Sequence, residues 1–118
     1  MLLQKYFETR LELIENALKQ YMSFEYPHAK DLKTAMHQSV FSGGKRWRPL
    51  LLVSIYEMLI GMKKSRHLDS VIAAACAVEI MHSAAMVHDD MPCVMNKKER
   101  RNAPATHMQH NNAIAILA

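Results

Sequence analysis

The feature of this 118-residue chain that most restricts its fold is the apolar segment VIAAACAVEIMHSAAMV at residues 71–87. The segment is rich in alanine, which favours a helix. It also carries Glu79 and His82 in its interior. Because an acid in the middle of a bilayer is costly, we expect a buried helix of a globular protein and no transmembrane segment.

Apolar spacing predicts further helices on both sides of this segment. The apolar residues Leu3, Phe7, Leu11, Ile14, Leu18 and Met22 are three or four positions apart, as on one face of a helix. Helices are expected at about residues 2–22, 29–41, 49–61 and 68–90, and another begins within residues 107–118. Only three glycines and four prolines are present. The predicted fold class is therefore all-α, with about five helices in one small domain.

Charge and cysteine content narrow the class of protein. The net charge of +4 and the isoelectric point near 9.2 favour an anionic partner without choosing among phosphate, nucleic acid and a membrane surface. Two cysteines are too few for a disulfide framework or a zinc cluster, which favours a reducing compartment. The N-terminus lacks the pattern of a signal peptide, so the expected localisation is cytoplasmic.

Acidic side chains at the end of the central helix indicate a cation site. Glu79, His82 and Asp89 are spaced to lie on one helix face. Acids such as Asp89 and Asp90 oppose the dipole at a helix C-terminus, so a site for a hard cation such as Mg²⁺ is favoured over an ordinary helix end. Pro92 is expected to end or kink the helix just after them.

Two basic clusters indicate an anion site. The motif GGKRWRP carries Lys45, Arg46 and Arg48 beside two glycines, and a second cluster is the pair Arg100 and Arg101. Lysine and forked arginine side chains are well suited to phosphate oxygens. The first cluster alone is more often a solvated turn, but the two together favour an anion site. Within the same motif, Trp47 is expected to anchor a core or an interface.

Four motifs in combination resemble the N-terminal portion of a trans-isoprenyl diphosphate synthase of the polyprenyl synthetase family. They are GGKRWRP, EIMHSAAMVHDDMPC, RRNAPATH and AIAILA. The resemblance is strong from about residue 35 to residue 118 and looser before that. It implies the N-terminal part of the isoprenoid synthase helical fold. Residues 1–118 are then expected to form a partial polyprenyl synthetase domain, truncated before the second aspartate-rich motif.

The resemblance also implies roles for individual residues. Members of the family are prenyltransferases that condense isopentenyl diphosphate with an allylic diphosphate, and Mg²⁺ is the cofactor. The implied ligands of isopentenyl diphosphate are Lys45, Arg48, His82 and Arg101. Asp89 and Asp90 would hold Mg²⁺, and Arg100 would contact the allylic diphosphate. Ala84 and Ala85 would form the floor that limits product length. No residue is assigned as catalytic.

Three departures from the family pattern put activity in doubt. Met95 stands where the family has a third aspartate, and Lys97 and Lys98 stand where it has further acids. Asn102 replaces the usual glycine after the twin arginine. The chain also stops before the second aspartate-rich motif. We therefore expect isoprenoid biosynthesis by family, with this chain inactive as it stands.

Two other functions remain open. The first is a noncatalytic helical partner or regulatory subunit of an active synthase, and the expected assembly is a homo-oligomer or a complex with a full-length synthase. That expectation rests on the central helix, which is apolar around most of its circumference. The second is a metal phosphohydrolase using His88 and Asp89, which is disfavoured because it leaves both basic motifs unexplained. No nucleic-acid partner is expected.

Overall fold

The computed structural model describes residues 2–25, 27–60 and 67–118, which are mainly helical. In chain order the elements are α1 (Leu2–Tyr21), α2 (Lys30–Phe41), α3 (Trp47–Ile60), α4 (Leu68–Asp89), β1 (Glu99–Arg100), β2 (Ala103–Pro104), α5 (Thr106–Gln109) and α6 (Asn112–Leu117). The all-α prediction is confirmed. The segment expected to begin one last helix forms two short ones, and Gly61, the predicted end of the third helix, lies outside the described residues.

The chain divides into two compact units. The first comprises the residues up to Ser23 together with Lys45–Glu79, and the second comprises Phe24–Gly44 and Ile80–Ala118. The helix α4 therefore contributes its first part to one unit and its last part to the other.

The first unit is built on α1 packed against α3. Ile14 and Leu18 of α1 and Val53 of α3 are each fully buried. The helical stripe predicted for α1 is thus buried along its C-terminal half, whereas Leu3 near its start is 66% exposed. Apolar side chains at helical spacing bury most surface where a partner helix lies beside them, and here that is the second half of α1.

A buried acid ties the same two helices together. Glu57 of α3 is buried and accepts hydrogen bonds from Arg10 Nη2 at 2.7 Å and Arg10 Nε at 3.0 Å. Tyr6 Oη also donates to this carboxylate. Because a buried carboxylate requires hydrogen-bond partners, this cluster fixes how α3 lies on α1.

The second unit places α2 beside α5 and α6. Ala35 and Val40 of α2, Val87 of α4 and Ala115 of α6 are buried in it. The helix α6 is capped by Asn111, whose side chain accepts a hydrogen bond from the backbone N–H of Ile114 at 2.9 Å. Such a cap satisfies one of the donors that a helix start leaves unpaired.

The hairpin between β1 and β2 was not predicted. Arg100 pairs with Ala103, so Arg101 and Asn102 form a two-residue turn in which φ is 53° and 61°. Positive φ at both turn residues is the pattern of a type I′ turn, which matches the twist of the two strands. Asn102 adopts this conformation at little cost, and therefore replaces the family's glycine without loss of the turn.

Apolar surface is also exposed on a helix where the sequence did not predict it. Ile72, Ala75, Cys76 and Val87 of α4 are buried, and Met81 is its strongly exposed apolar residue at 76%. Large exposed apolar side chains instead concentrate on α3, where they are Leu51, Ile55, Met58, Leu59 and Ile60. Since only 33% of the most apolar window of α4 is buried, the expectation that the central helix drives association stays a prediction.

Trp47 at the start of α3 does not anchor the core, and its expected alternative role as an interface anchor stays a prediction. Its side chain is 62% exposed and makes an edge contact with the ring of Phe7, with the centroids 6.5 Å apart. Trp47 is thus not a core residue.

By length and composition alone, α4 could cross a membrane, since its most apolar window has a mean hydropathy of 1.7; among the described helices it is the one that meets this test. Its central acid, Glu79, forms an ion pair with Arg46 inside the first unit. A charged pair at the centre of the helix would be costly in lipid and is ordinary in a protein core.

Candidate functional site

The acidic pair at the end of α4 has two different environments. Asp89 is half-buried, whereas Asp90 is only 2% exposed. Arg100 on β1 donates to both carboxylate oxygens of Asp90, with Nη2 2.6 Å from Oδ1 and Nε bonded to Oδ2. The hydrogen bonds to Asp90 raise the pKa of Arg100 above its ordinary value. Asp90 and Arg100 therefore form a closed, two-point ion pair.

The backbone after Pro92 folds back against the end of α4. The N–H of Met95 donates to the carbonyl of Asp89, and the N–H of Lys97 donates to the carbonyl of Asp90, each at 3.1 Å. These bonds satisfy carbonyls that the helix end leaves without partners. The side chains of Met95, Lys97 and Lys98 are exposed.

The donor set at this position does not fit Mg²⁺. A hard cation requires several oxygen ligands, and here Asp90 is bound at both oxygens by Arg100. Met95 offers a thioether, which is a poor ligand for magnesium. Across residues 2–25, 27–60 and 67–118, no group of three or more His, Cys, Asp or Glu side chains is arranged to hold a metal ion. Of the acidic pair at the end of α4, only Asp89 then remains to offer a carboxylate to a cation.

A cleft of about 340 Å³ lies in the second unit beside this ion pair. Its lining includes His37, Ser42, Ser83, Asp90, Arg100 and Arg101. Three of the predicted site residues thus come together at one cleft, because the hairpin returns Arg100 and Arg101 to the end of α4. Two guanidinium groups with hydroxyl and imidazole groups nearby provide donors suited to an anion.

The remaining predicted site residues do not line this cleft. Lys45 and Arg48 are exposed and belong to the first unit. His82 is half-buried on α4. Of the two alanines expected to limit product length, Ala84 is half-buried and Ala85 is exposed.

Sequence reasoning grouped Arg46 with the phosphate-binding cations, and the structure gives it another role. Arg46 is 4% exposed, and it donates Nε to Glu15 at 2.7 Å and Nη1 to Glu79 at 2.9 Å. Glu79 is therefore part of a buried ion pair and not of a cation site with Asp89. An acid in the middle of an apolar helix signalled that a partner was needed. The charge and spacing of the motif did not distinguish Arg46 from Arg48, whereas the resemblance implied only Arg48 as a ligand.

The family model for Polyprenyl synthetase matches residues 29–118. Among curated proteins, the chain is 36% identical over 113 residues to the heterodimeric geranylgeranyl pyrophosphate synthase large subunit 1 of Arabidopsis thaliana, covering 96% of this chain and 29% of that protein. It is 35% identical over 105 residues to the chloroplastic geranylgeranyl pyrophosphate synthase of Capsicum annuum, covering 89% of this chain and 27% of that protein. The chain thus spans less than a third of the length of these relatives.

Solved structures give the same result for the fold. A geranyltransferase from Legionella pneumophila superposes with a TM-score of 0.83 at 31% identity, covering 97% of this chain and 38% of that one. A geranyltranstransferase from Thermotoga maritima superposes with a TM-score of 0.82 at 30% identity, covering 95% of this chain and 40% of that one. The helices described above are therefore arranged as in isoprenoid synthase folds.

Proposed function

The chain belongs to the polyprenyl synthetase family, whose members are prenyl diphosphate synthases of isoprenoid biosynthesis, and we propose from this that it binds a diphosphate without catalysing prenyl transfer by itself. The proposal has two parts. The cationic residues of the family motifs are retained, which supports diphosphate binding. Of the acidic positions that would hold the family's divalent metal, the third is Met95, and Asp90 is bound by Arg100. These two features support inactivity.

The observation that carries the proposal is the ion pair between Asp90 and Arg100. Departing pyrophosphate develops negative charge that a synthase must neutralise in a closed site. Here Asp90 is committed to a guanidinium and the third acidic position is Met95. The donor set of this chain does not fit a magnesium ion.

The proposed ligands of the diphosphate are Lys45, Arg48, His82 and Arg101, with isopentenyl diphosphate as the substrate class. Arginine and lysine provide charge-assisted hydrogen bonds to phosphate oxygens, and the half-buried imidazole of His82 adds a donor. Arg100 is bonded to Asp90 through Nε and Nη2, and it is proposed, as the resemblance implies, to contact the allylic diphosphate through its remaining donors.

Titration calorimetry with isopentenyl diphosphate and with pyrophosphate, each in Mg²⁺ and in EDTA, tests the binding part. We expect binding that is similar in both conditions. Lys45→Ala and Arg101→Ala should each weaken it about tenfold, the scale of one hydrogen bond to a charged group. Lys19→Ala removes an exposed lysine of α1 and should leave the affinity unchanged. Binding that requires Mg²⁺ would contradict the proposal.

A radiolabelled prenyltransfer assay tests the inactive part. The pure chain should form no prenyl diphosphate from an allylic diphosphate and isopentenyl diphosphate, with or without Mg²⁺. A full-length synthase serves as the positive control. Any Mg²⁺-dependent product from the pure chain overturns this part of the proposal, whatever the titration shows.

A second candidate function is a noncatalytic partner of an active synthase, and the exposed apolar face of α3 favours it. Leu51, Met58 and Leu59 are 60%, 74% and 76% exposed. One relative is named as the large subunit of a heterodimeric synthase, which supports association within the family. Sedimentation of the chain alone and mixed with a full-length synthase tests it, with Met58→Lys as the variant expected to weaken any complex. A monomer in both experiments would rule out this candidate.

The assignment of Ala84 and Ala85 to a product-length floor remains a proposal. Small side chains there leave space below a growing prenyl chain, whereas a filled position would exclude it. A chimera that joins this chain to the C-terminal part of a related synthase, with Met95→Asp, Lys97→Asp and Lys98→Asp, should make products of geranylgeranyl length or longer. Ala84→Tyr in that chimera should shorten them.

A further inference from the structure

Gly44, the second glycine of GGKRWRP, lies directly against the guanidinium of Arg101. A methyl group on its Cα would be 3.1 Å from Nη1, 3.1 Å from Nη2 and 3.2 Å from Cζ of Arg101. These three distances are shorter than ordinary van der Waals contact between such atoms. A methyl group at residue 44 would therefore require the guanidinium to shift by a few tenths of an ångström.

Gly43 lacks this close contact. Its φ is 97° and that of Gly44 is 141°, so both adopt backbone conformations that disfavour any side chain. A methyl group on Gly43 would meet no atom within 4 Å among the described residues. The two positions thus share a backbone requirement, and only Gly44 has a packing requirement as well.

Arg101 is itself held in an uncommon conformation. Its φ is 53°, in the first position of the tight turn between β1 and β2, where glycine or asparagine is usual. Such a residue persists where its surroundings define its position, and this happens most often at functional sites. Its exposed guanidinium lies against Gly44.

We propose that Gly44 is a positioning residue that holds the Arg101 guanidinium in place for a diphosphate. The inference rests on the proposed diphosphate-binding function. An arginine fixed by packing loses less side-chain freedom when it binds an anion than a mobile one does. Gly44 and Arg101 both belong to the second unit. A side chain at position 44 would displace the guanidinium by a few tenths of an ångström, and we expect this displacement to weaken its two-point contact with an anion.

Thermal unfolding tests the contact without any ligand. Gly43→Ala and Gly44→Ala should both lower the melting temperature because of backbone strain, and Gly44→Ala should lower it by about 2 °C more. Introducing Arg101→Ala into both variants should abolish that excess, because the methyl group then has no guanidinium to meet. An equal loss for both glycines, unchanged by Arg101→Ala, overturns the inference.

Pyrophosphate affinity, measured by calorimetry, tests the positioning role. Gly44→Ala should weaken binding about tenfold and Gly43→Ala less than about twofold. In the Arg101→Ala background, Gly44→Ala should have no further effect, since it acts through that side chain. Equal effects of the two glycine variants on affinity would refute the positioning role. If the unsubstituted chain binds no pyrophosphate, the diphosphate function fails, and the melting temperatures still decide whether Gly44 holds Arg101.

Discussion

Arg46 and Glu79 are 33 positions apart in the chain and form a buried ion pair, with Arg46 Nη1 2.9 Å from Glu79 Oε1. Both side chains are almost completely buried, at 3% and 4% exposure. The same guanidinium also binds Glu15 on α1 through Nε at 2.7 Å. The pair thus connects the GGKRWRP motif to the interior of the first unit, and it accounts for the acid in the middle of the apolar helix α4.

Arg46→Met should lower the free energy of unfolding by about 3 kcal/mol or more, because Glu79 would remain as an uncompensated buried charge. Denaturant titration followed by circular dichroism measures the change. Arg48→Met is the matched control, since it removes an exposed arginine of the same motif. A similar loss in both variants would show that the pair does not have this structural role.

Lowering the pH should destabilise the chain, partly through protonation of Glu57. Burial alone would raise the pKa of Glu57, but the hydrogen bonds from Arg10 and Tyr6 and the charge of Arg10 hold it below its ordinary value. The folded state therefore binds this proton more weakly than the unfolded state, in which the pKa is about 4.3. The resulting stabilisation is present above about pH 5 and is lost as the pH falls through about 4 toward the folded-state value.

Glu57→Gln should therefore flatten the acid side of the stability profile, as measured by melting temperature between about pH 7 and pH 3. Glu12→Gln, which removes an exposed acid of α1, is the control and should leave the slope unchanged. The prediction fails if both variants follow the slope of the unsubstituted chain.

The two cysteines should differ strongly in reactivity. Burial raises the pKa of the Cys76 thiol to about 11, and the nearby Glu15 and Glu79 add to the shift. Cys76 is 1% exposed, whereas Cys93 is exposed in the loop after α4. Since the thiolate is the reactive form, a maleimide at pH 8 should label Cys93 quickly and Cys76 only after unfolding. The variants Cys93→Ser and Cys76→Ser assign the fast and the slow phase of labelling. Comparable labelling rates at the two cysteines would contradict the burial of Cys76 in the core of the first unit.

Arg100→Ala should destabilise the chain by roughly 3 kcal/mol, since Asp90 would be left buried and charged. Lys98→Ala, two residues earlier and exposed, is the matched control. Adding Asp90→Ala to Arg100→Ala should recover part of the loss, because it removes the stranded charge. The measurement is again denaturant unfolding, and an absence of recovery would show that the two side chains are not energetically coupled.

Local sequence features were sufficient to predict the four long helices: apolar spacing for α1 and α2, and composition with helix-starting and helix-ending residues for α3 and α4. Each predicted range lies within one or two residues of the observed helix wherever the structure describes its end, because apolar spacing and helix-ending glycine or proline act over a few neighbouring residues. The hairpin after α4 was missed for a related reason. Its strands have two residues each, too few for any alternation to be visible.

The sequence by itself therefore determined the helical class, the family resemblance and the residue types available to a diphosphate. The tertiary structure alone decided which charged side chains form buried ion pairs and which stay exposed. Arg46 and Arg48 are two positions apart in one motif, yet one is buried in an ion pair and the other is exposed. Asp89 and Asp90 are adjacent, yet only Asp90 is bound at both oxygens by Arg100. Desolvation and pairing depend on what the fold brings within a few ångströms, and side chains adjacent in sequence point in different directions on a helix or turn.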